Sequence, residues 1–257
     1  LSFAEKELPM DGNHSIPATI ADERQLRVDL AAAFRLADHF GWTEAVANHF
    51  SAALPGGRFL INPLWRHFSA IRASDLVVLD CAINGDVPAG IDVTAWMIHG
   101  TLHAKLEQGR CILHLHPPYA TALCCLADPS IKPIDQTSAR FFRRVAIDSA
   151  FGGMADNAAE GERLCAALGD KSILMMGNHG VLVAAPDIAE AFDAMYHLER
   201  ASRTLVLAYS TGQKLNILSD EIAEKTARSW EDEGGSARAH FAELKLLLDR
   251  QGADYAA

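Results

Sequence analysis

The residues best suited to chemistry in this chain are His114, His116 and His179. His114-Leu115-His116 closes an apolar run that stops at Pro117-Pro118. On a strand, side chains two apart share a face, so both imidazoles project together while Leu113 and Leu115 point into a core. Gly177-Asn178-His179-Gly180 sets a third histidine in a glycine-bracketed bend between two apolar runs, where backbone can approach a neighbour closely. Singly, each has an ordinary reading: a satisfied pair near a strand end, and a turn residue. Together they are three neutral nitrogen donors with room for further ligands, the donor set of a catalytic metal site and not of a sealed structural one. One divalent ion per chain, Zn2+ or Mn2+, is the expected occupant. His99 and His103 lie four apart on a helical stretch and share a face. Either of them reaches toward the strand pair or simply packs between helices.

The elements that must position these residues follow from periodicity and punctuation. Asp22 precedes a helical pattern (Leu26, Leu30, Ala33, Ala37, Phe40) that Gly41 ends. Residues 46–54 and 59–62 flank Pro55-Gly56-Gly57 as a hairpin, and 76–79 read as a third strand. A loop from Gly85 to Gly90 leads to Asp92, which caps a helix to about Gln108. Residues 111–116 form a strand, 119–126 a short helix, and 128–144 an irregular stretch with one helical piece. A strand at 145–147, a helix at 158–168 and strands at 172–176 and 181–183 follow. Asp187 with Glu190 reads as a capping box opening a helix toward Tyr209, and helices near 220–231 and 236–249 finish the chain. Strands joined by hairpins as often as by helices predict an α/β fold whose central, mainly antiparallel sheet is covered by helices. Residues 1–20 read as an N-terminal arm and 21–257 as one domain.

Composition limits the functions open to such a chain. With 23 Lys+Arg against 33 Asp+Glu, the formal charge of -10 repels phosphate backbones, and no basic run offsets it, so no nucleic-acid partner is expected. No apolar run approaches the ~18–20 residues of a membrane span. Five cysteines with no CxxC read as free thiols of a reducing compartment, so a cytoplasmic location is the expectation.

Gly41-Trp42-Thr43-Glu44-Ala45-Val46-Ala47-Asn48-His49-Phe50-Ser51, Leu60-Ile61-Asn62-Pro63, His99 before His114-Leu115-His116-Pro117, Asn178-His179-Gly180 and Leu218-Ser219-Asp220-Glu221 together resemble the class II aldolase/adducin family over about residues 25–225. The resemblance places the family's metal ligands on His114, His116 and His179. It implies a sheet with helices on both faces, and a homotetramer with active sites between subunits.

Departures from the family pattern guide the chemistry. Its sugar-phosphate aldolases carry an acid four positions before the helical histidine; here Ala95 stands there and can carry no proton. Their phosphate-binding positions fall on Asn48-His49, Leu64-Trp65 and Val93-Thr94, and a catalytic tyrosine falls on Gln136. Leu64 and Trp65 would crowd and desolvate a phosphate. Trp65, Arg66, His67 and Phe68 instead suggest a flat carboxylate held by stacking and a guanidinium, unless the aromatics are core and Arg66 is solvated. The expected substrate contacts are thus Asn48, Trp65, Arg66, Thr94 and Gln136. The expected proton handlers are His49 and His67, with Asp92 as a further acid. The family includes a metal-dependent decarboxylase of a hydroxylated pyridine dicarboxylate from vitamin B6 breakdown, which this acid-poor pattern resembles. The expectation is therefore a metal-dependent carbon–carbon lyase decarboxylating a hydroxylated aromatic or heteroaromatic carboxylate. An aldolase acting on an unphosphorylated hydroxy or keto acid, and a non-catalytic adducin-like binding module, are the alternatives.

Overall fold

The computed structural model describes residues 23–82, 87–107, 109–153 and 158–257. The expected arm at 1–20 and the Asp22 cap lie outside these residues, as do parts of the loop after residue 82 and Gln108 at the expected helix end. Seven strands form one sheet: β1 (His49–Leu54), β2 (Arg58–Ile61), β3 (Val77–Asp80), β4 (Cys111–Leu115), β5 (Val145–Asp148), β6 (Ile173–Met176) and β7 (Gly180–Ala185). Their spatial order is β3-β2-β1-β4-β7-β6-β5. Every pairing is antiparallel except β5 with β6. That one parallel pair follows from its connection, because the helix α5 (Ala158–Leu168) carries the chain back to the starting end. The expected mainly antiparallel sheet between helices is what the chain forms.

Alternation along the strands divides the core. In β4, Cys111, Leu113 and Leu115 join the larger apolar cluster, while Ile112 joins the cluster on the other face. In β1, Phe50, Ala52 and Leu54 face the larger cluster, so His49 and Ser51 point the opposite way. The larger cluster is closed by α1 (Glu23–His39), α3 (Pro118–Cys124), α6 (Ile188–Ser210) and α8 (Ser236–Arg250). In α1 the alanines at 31, 32, 33 and 37 are fully buried beside Leu30, Phe34 and Leu36. Their small side chains let this helix sit close to the sheet. The opposite face is covered by α5 and by α2 (Val93–Lys105), whose Ile98 and Leu102 pack on Leu164 and Ile112. The short α4 (Gln136–Ala139) is the helical piece of the irregular stretch, and α7 (Asp220–Asp232) lies near the expected 220–231.

Three local differences from the sequence expectation matter for the site. The hairpin's first strand begins at His49 and not at residue 46, because Ala45 (φ 48°) and Asn48 (φ 74°) turn through the left-handed region. Trp65 (φ 58°) does the same four residues past β2. Phe68 is a core residue, 1% exposed, and not a cleft aromatic.

Glu199 of α6 accepts the Tyr119 and Ala120 amide hydrogens at 2.9 and 2.8 Å, fixing the chain just beyond His116. All five cysteines are free, and burial pushes the Cys124 thiol up to about 12. No described helix is long and apolar enough to cross a membrane.

Candidate metal centre

β4 and β7 are paired neighbours, with His114 opposite Leu182 and Leu115 opposite Val181. This register brings the end of β4 beside the bend that precedes β7. The three imidazoles form a nearly regular triangle: ring centroids are 5.0 Å apart for His114–His116, 4.9 Å for His114–His179 and 4.8 Å for His116–His179. Each offers a ligand atom within 4.8 Å of the others, so the cluster can hold a divalent ion. The Nε2 atoms of His114 and His116 are 3.3 Å apart. Two nitrogens each about 2.0–2.1 Å from one tetrahedral ion are separated by about that distance, so the donors fit.

Two of the ligands are oriented from behind. His114 Nδ1 donates to the Val181 carbonyl at 3.1 Å, which leaves Nε2 free as a donor to metal. His116 Nδ1 meets the Glu44 carboxylate in a short contact, which fixes that ring likewise. Burial, with repulsion from neighbouring imidazoles, holds the His114 pKa well below its ordinary value. Burial and His116 lower that of His179 to about 4, against the pull of Glu160 and Glu44. Neutral rings are what ligation requires. Glu44→Gln is accordingly expected to weaken Zn2+ binding roughly 10- to 100-fold, the usual cost of losing an outer-shell partner, as read by calorimetric titration. Unchanged affinity would remove Glu44 from the site.

The triad sits at one side of a cleft of about 430 Å3, lined also by Glu44, Asn48, Asn62, Leu64, Trp65, Asp92, Thr94, Ala95 and Phe151. Ala95 faces the cleft where a proton-carrying acid would stand. Asp92 is committed as the cap of α2: its Oδ1 accepts from Thr94 N (2.8 Å), Thr94 Oγ1 (2.5 Å) and Ala95 N (3.1 Å). Burial alone would raise its pKa, but these bonds and His49 outweigh that and lower it, so the group stays a carboxylate. His49 pairs with His114 across the β1–β4 ladder and lines the same cleft. Burial, partly opposed by Asp92 and reinforced by His116 and His179, lowers its pKa to about 4.

Asn48 is 5% exposed and lines the cleft, and neither its amide nitrogen nor its amide oxygen has a hydrogen-bond partner. Asn62 holds this loop, accepting from Phe50 N and donating to the Asn48 carbonyl, both at 3.3 Å. Trp65 is 76% exposed at the cleft mouth.

The remaining candidates lie elsewhere in the chain. Arg66 turns to Asp75 at 3.6 Å, and His67 caps a short turn through Ser69. Gln136 opens α4, where its carbonyl accepts the Trp230 indole N–H at 3.1 Å. None of these three lines the cleft, and no Lys or Arg is among the described residues that do. His99 is fully buried and contacts His49 and Ser51, not the triad.

Sequence reasoning assigned no role to Glu44, Ser51 or Asn62. Ser51 carried a usable signal, being two residues from His49 on one strand and so on its face.

Comparison with known proteins points to one family. Residues 28–206 match the family model of the class II aldolase and adducin N-terminal domain. A putative aldolase class 2 protein of Caulobacter vibrioides is 36% identical over 212 residues, covering 80% of this chain and 81% of its own. Rat α-adducin is 30% identical over 185 residues, which are 68% of this chain but 24% of the adducin. The crystal structure of an aldolase II superfamily protein from Pseudomonas syringae superposes with a TM-score of 0.85 at 33% identity, covering 92% of this chain and 97% of that one. The chain belongs to the class II aldolase/adducin family.

Proposed function

We propose that this protein is a metal-dependent decarboxylase of a hydroxylated aromatic or heteroaromatic carboxylate, working as a homotetramer with clefts completed at subunit interfaces. The three-histidine cluster and the family support metal-dependent lyase chemistry in general. The observation that carries the finer reading is the proton economy of the cleft. Retro-aldol cleavage needs a base for a hydroxyl proton, whereas loss of CO2 needs an electron sink and, later, a proton. Here the acid position is Ala95, Asp92 is tied up as a cap, and Glu44 is turned to His116.

His114, His116 and His179 would hold Zn2+ or Mn2+. When bound, the ion supplies positive charge for a carboxylate and its neighbouring oxygen, and stabilises the electron pair left behind as CO2 departs. The chain's own residues do the rest. Trp65 at the mouth offers a face for a flat ring, and the unpartnered Asn48 amide offers one donor side and one acceptor to its polar edge. Thr94 and the apolar wall of Leu64 and Ala95 shape the cleft and exclude water. His49 delivers the proton that replaces the carboxyl group. It gives up the hydrogen on Nε2, and solvent entering the cleft returns a proton to the same nitrogen, so the ring ends neutral, with Nδ1 still accepting from His99, 2.9 Å away. Arg66, His67 and Gln136 take part only where a neighbouring chain presents them.

The test is a screen of hydroxylated pyridine and benzene carboxylates with the metal-loaded protein, following CO2. His49→Gln is expected to lower CO2 release roughly 100-fold, within the usual range for general acid–base catalysis. Aldehyde release without CO2 would replace this reading with aldol cleavage, and a purified chain without bound metal would favour a binding module.

A further inference from the structure

Behind the cleft runs a row of polar groups in the otherwise apolar space between the sheet and α2. His103 Nε2 lies 2.6 Å from Ser51 Oγ, and Ser51 Oγ lies 2.5 Å from His99 Nδ1. His99 Nε2 is 2.9 Å from His49 Nδ1. His49 Nε2 is 3.4 Å from Thr94 Oγ1, which is 2.5 Å from Asp92 Oδ1. Ser51 and His99 are fully buried and His49 is 6% exposed. Six imidazoles crowd together in this row and the triad, and burial lowers the pKa of each ring in the row, which favours its neutral form.

A neutral imidazole has one N–H and one lone pair, a hydroxyl has one hydrogen to give, and a carboxylate only accepts. Those rules give the row a direction. Thr94 must donate to Asp92, so it can only accept from His49, whose hydrogen is then on Nε2. His49 Nδ1 is left as an acceptor and takes the hydrogen of His99 Nε2. His99 Nδ1 in turn accepts from Ser51, and Ser51 accepts from His103 Nε2. The opposite polarity fails at the cleft end. It would set two lone pairs against each other between His49 and Thr94. At the far end His103 Nδ1 has no hydrogen-bond partner in either polarity, and the nearby Gly109 backbone favours a hydrogen there, so the direction is set at the cleft end.

We infer that Ser51, His99 and His103 are positioning residues: they form a one-way hydrogen-bond chain that holds His49 as a single neutral tautomer with its proton on Nε2, facing the cleft. This rests on the reading of His49 as a cleft residue, and deepens it by naming what orients it. In water the two tautomers of a neutral imidazole coexist, so half-committed rings would offer the substrate a lone pair as often as a proton. The contact to Thr94 is long, so the Nε2 hydrogen can exchange it for a substrate atom without breaking a strong bond. No charge changes along the row.

The test does not depend on turnover. Long-range 1H–15N correlation on the zinc-loaded, 15N-labelled full chain, with His49 assigned from its loss in His49→Gln, reports which ring nitrogen carries hydrogen. Wild type is expected to show His49 with an N–H at Nε2 and a bare Nδ1. His99→Leu should move both nitrogens toward averaged values, and His99→Gln, whose amide can still donate to Nδ1, should restore the wild-type pattern. Ser51→Ala, a smaller change for the case where His99→Leu fails to fold, should shift the His99 nitrogens. Bound zinc should stay at one ion per chain throughout. A hydrogen on Nδ1 of His49 in wild type, or an unchanged His49 pattern in His99→Leu, would overturn the inference whatever reaction the protein performs. Where CO2 release is measurable, His99→Leu should lower kcat roughly 100-fold with KM unchanged, and His99→Gln should recover most of it; a KM change alone would reject the positioning role.

Discussion

His179→Ala is expected to leave the purified protein without bound metal and to reduce turnover by about a thousandfold or more. The side chain occupies the bend before β7 and is only partly buried, so its loss opens no core cavity. What it removes is one corner of a triangle whose sides are all about 5 Å between ring centres. Two imidazoles with water hold a divalent ion far more weakly than three. A metal contributes several kcal/mol of charge stabilisation to a carbanion-like state, and about 1.4 kcal/mol is a factor of ten in rate. Elemental analysis and circular dichroism together decide the matter. A folded variant that keeps a full equivalent of ion would end the metal assignment, and one that loses the ion but keeps its rate would end the mechanism.

The second large effect is expected at a residue with no side chain. A Cβ at Gly180 would lie 2.4 Å from His116 Cδ2 and 2.6 Å from the Leu115 carbonyl oxygen. The backbone oxygen cannot move aside without breaking the β4–β7 ladder, and the ring cannot move without leaving the triangle. Gly180→Ala should therefore cost about 3 kcal/mol in stability, typical of severe overpacking, and lower Zn2+ affinity by at least about tenfold, within the outer-shell range. Urea unfolding and zinc titration read the two effects separately. If Gly180→Ala binds zinc like the wild type, close backbone approach is not what sets the position of His116.

These two residues also show how far the sequence could be read. The His114-x-His116 pair was legible because a strand repeats every two residues, and His179 because glycines bracket it. The division of β4 into a ligand face and a core face follows from the same alternation. Glu44 was not legible as the partner of His116, since nothing local connects residues 72 apart. The start of β1 was misplaced because a left-handed Asn48 looks like any asparagine. Arg66 and His67 follow the cleft residues Pro63, Leu64 and Trp65 in sequence, which made them reasonable candidates. The left-handed turn at Trp65 carries the chain away, and they meet Asp75 and Ser69 instead. Gln136 came from an irregular stretch where neither period constrains the register. The histidine row behind His49 needed the third dimension, because β1 and α2 are joined by some forty residues of intervening chain.

The ligands are carried by adjacent strands in the middle of the sheet, where Leu115 and Val181 are fully shielded from solvent. The strands that present them are held by the core, in contrast to small domains that fold only around their zinc. A finished triangle of imidazoles exerts little geometric choice among first-row metals, whose affinities follow a fixed chemical series. Which element such a site would carry then depends on the supply around it, and exchanging one ion for another would be expected to retune its reactivity without rebuilding its shape.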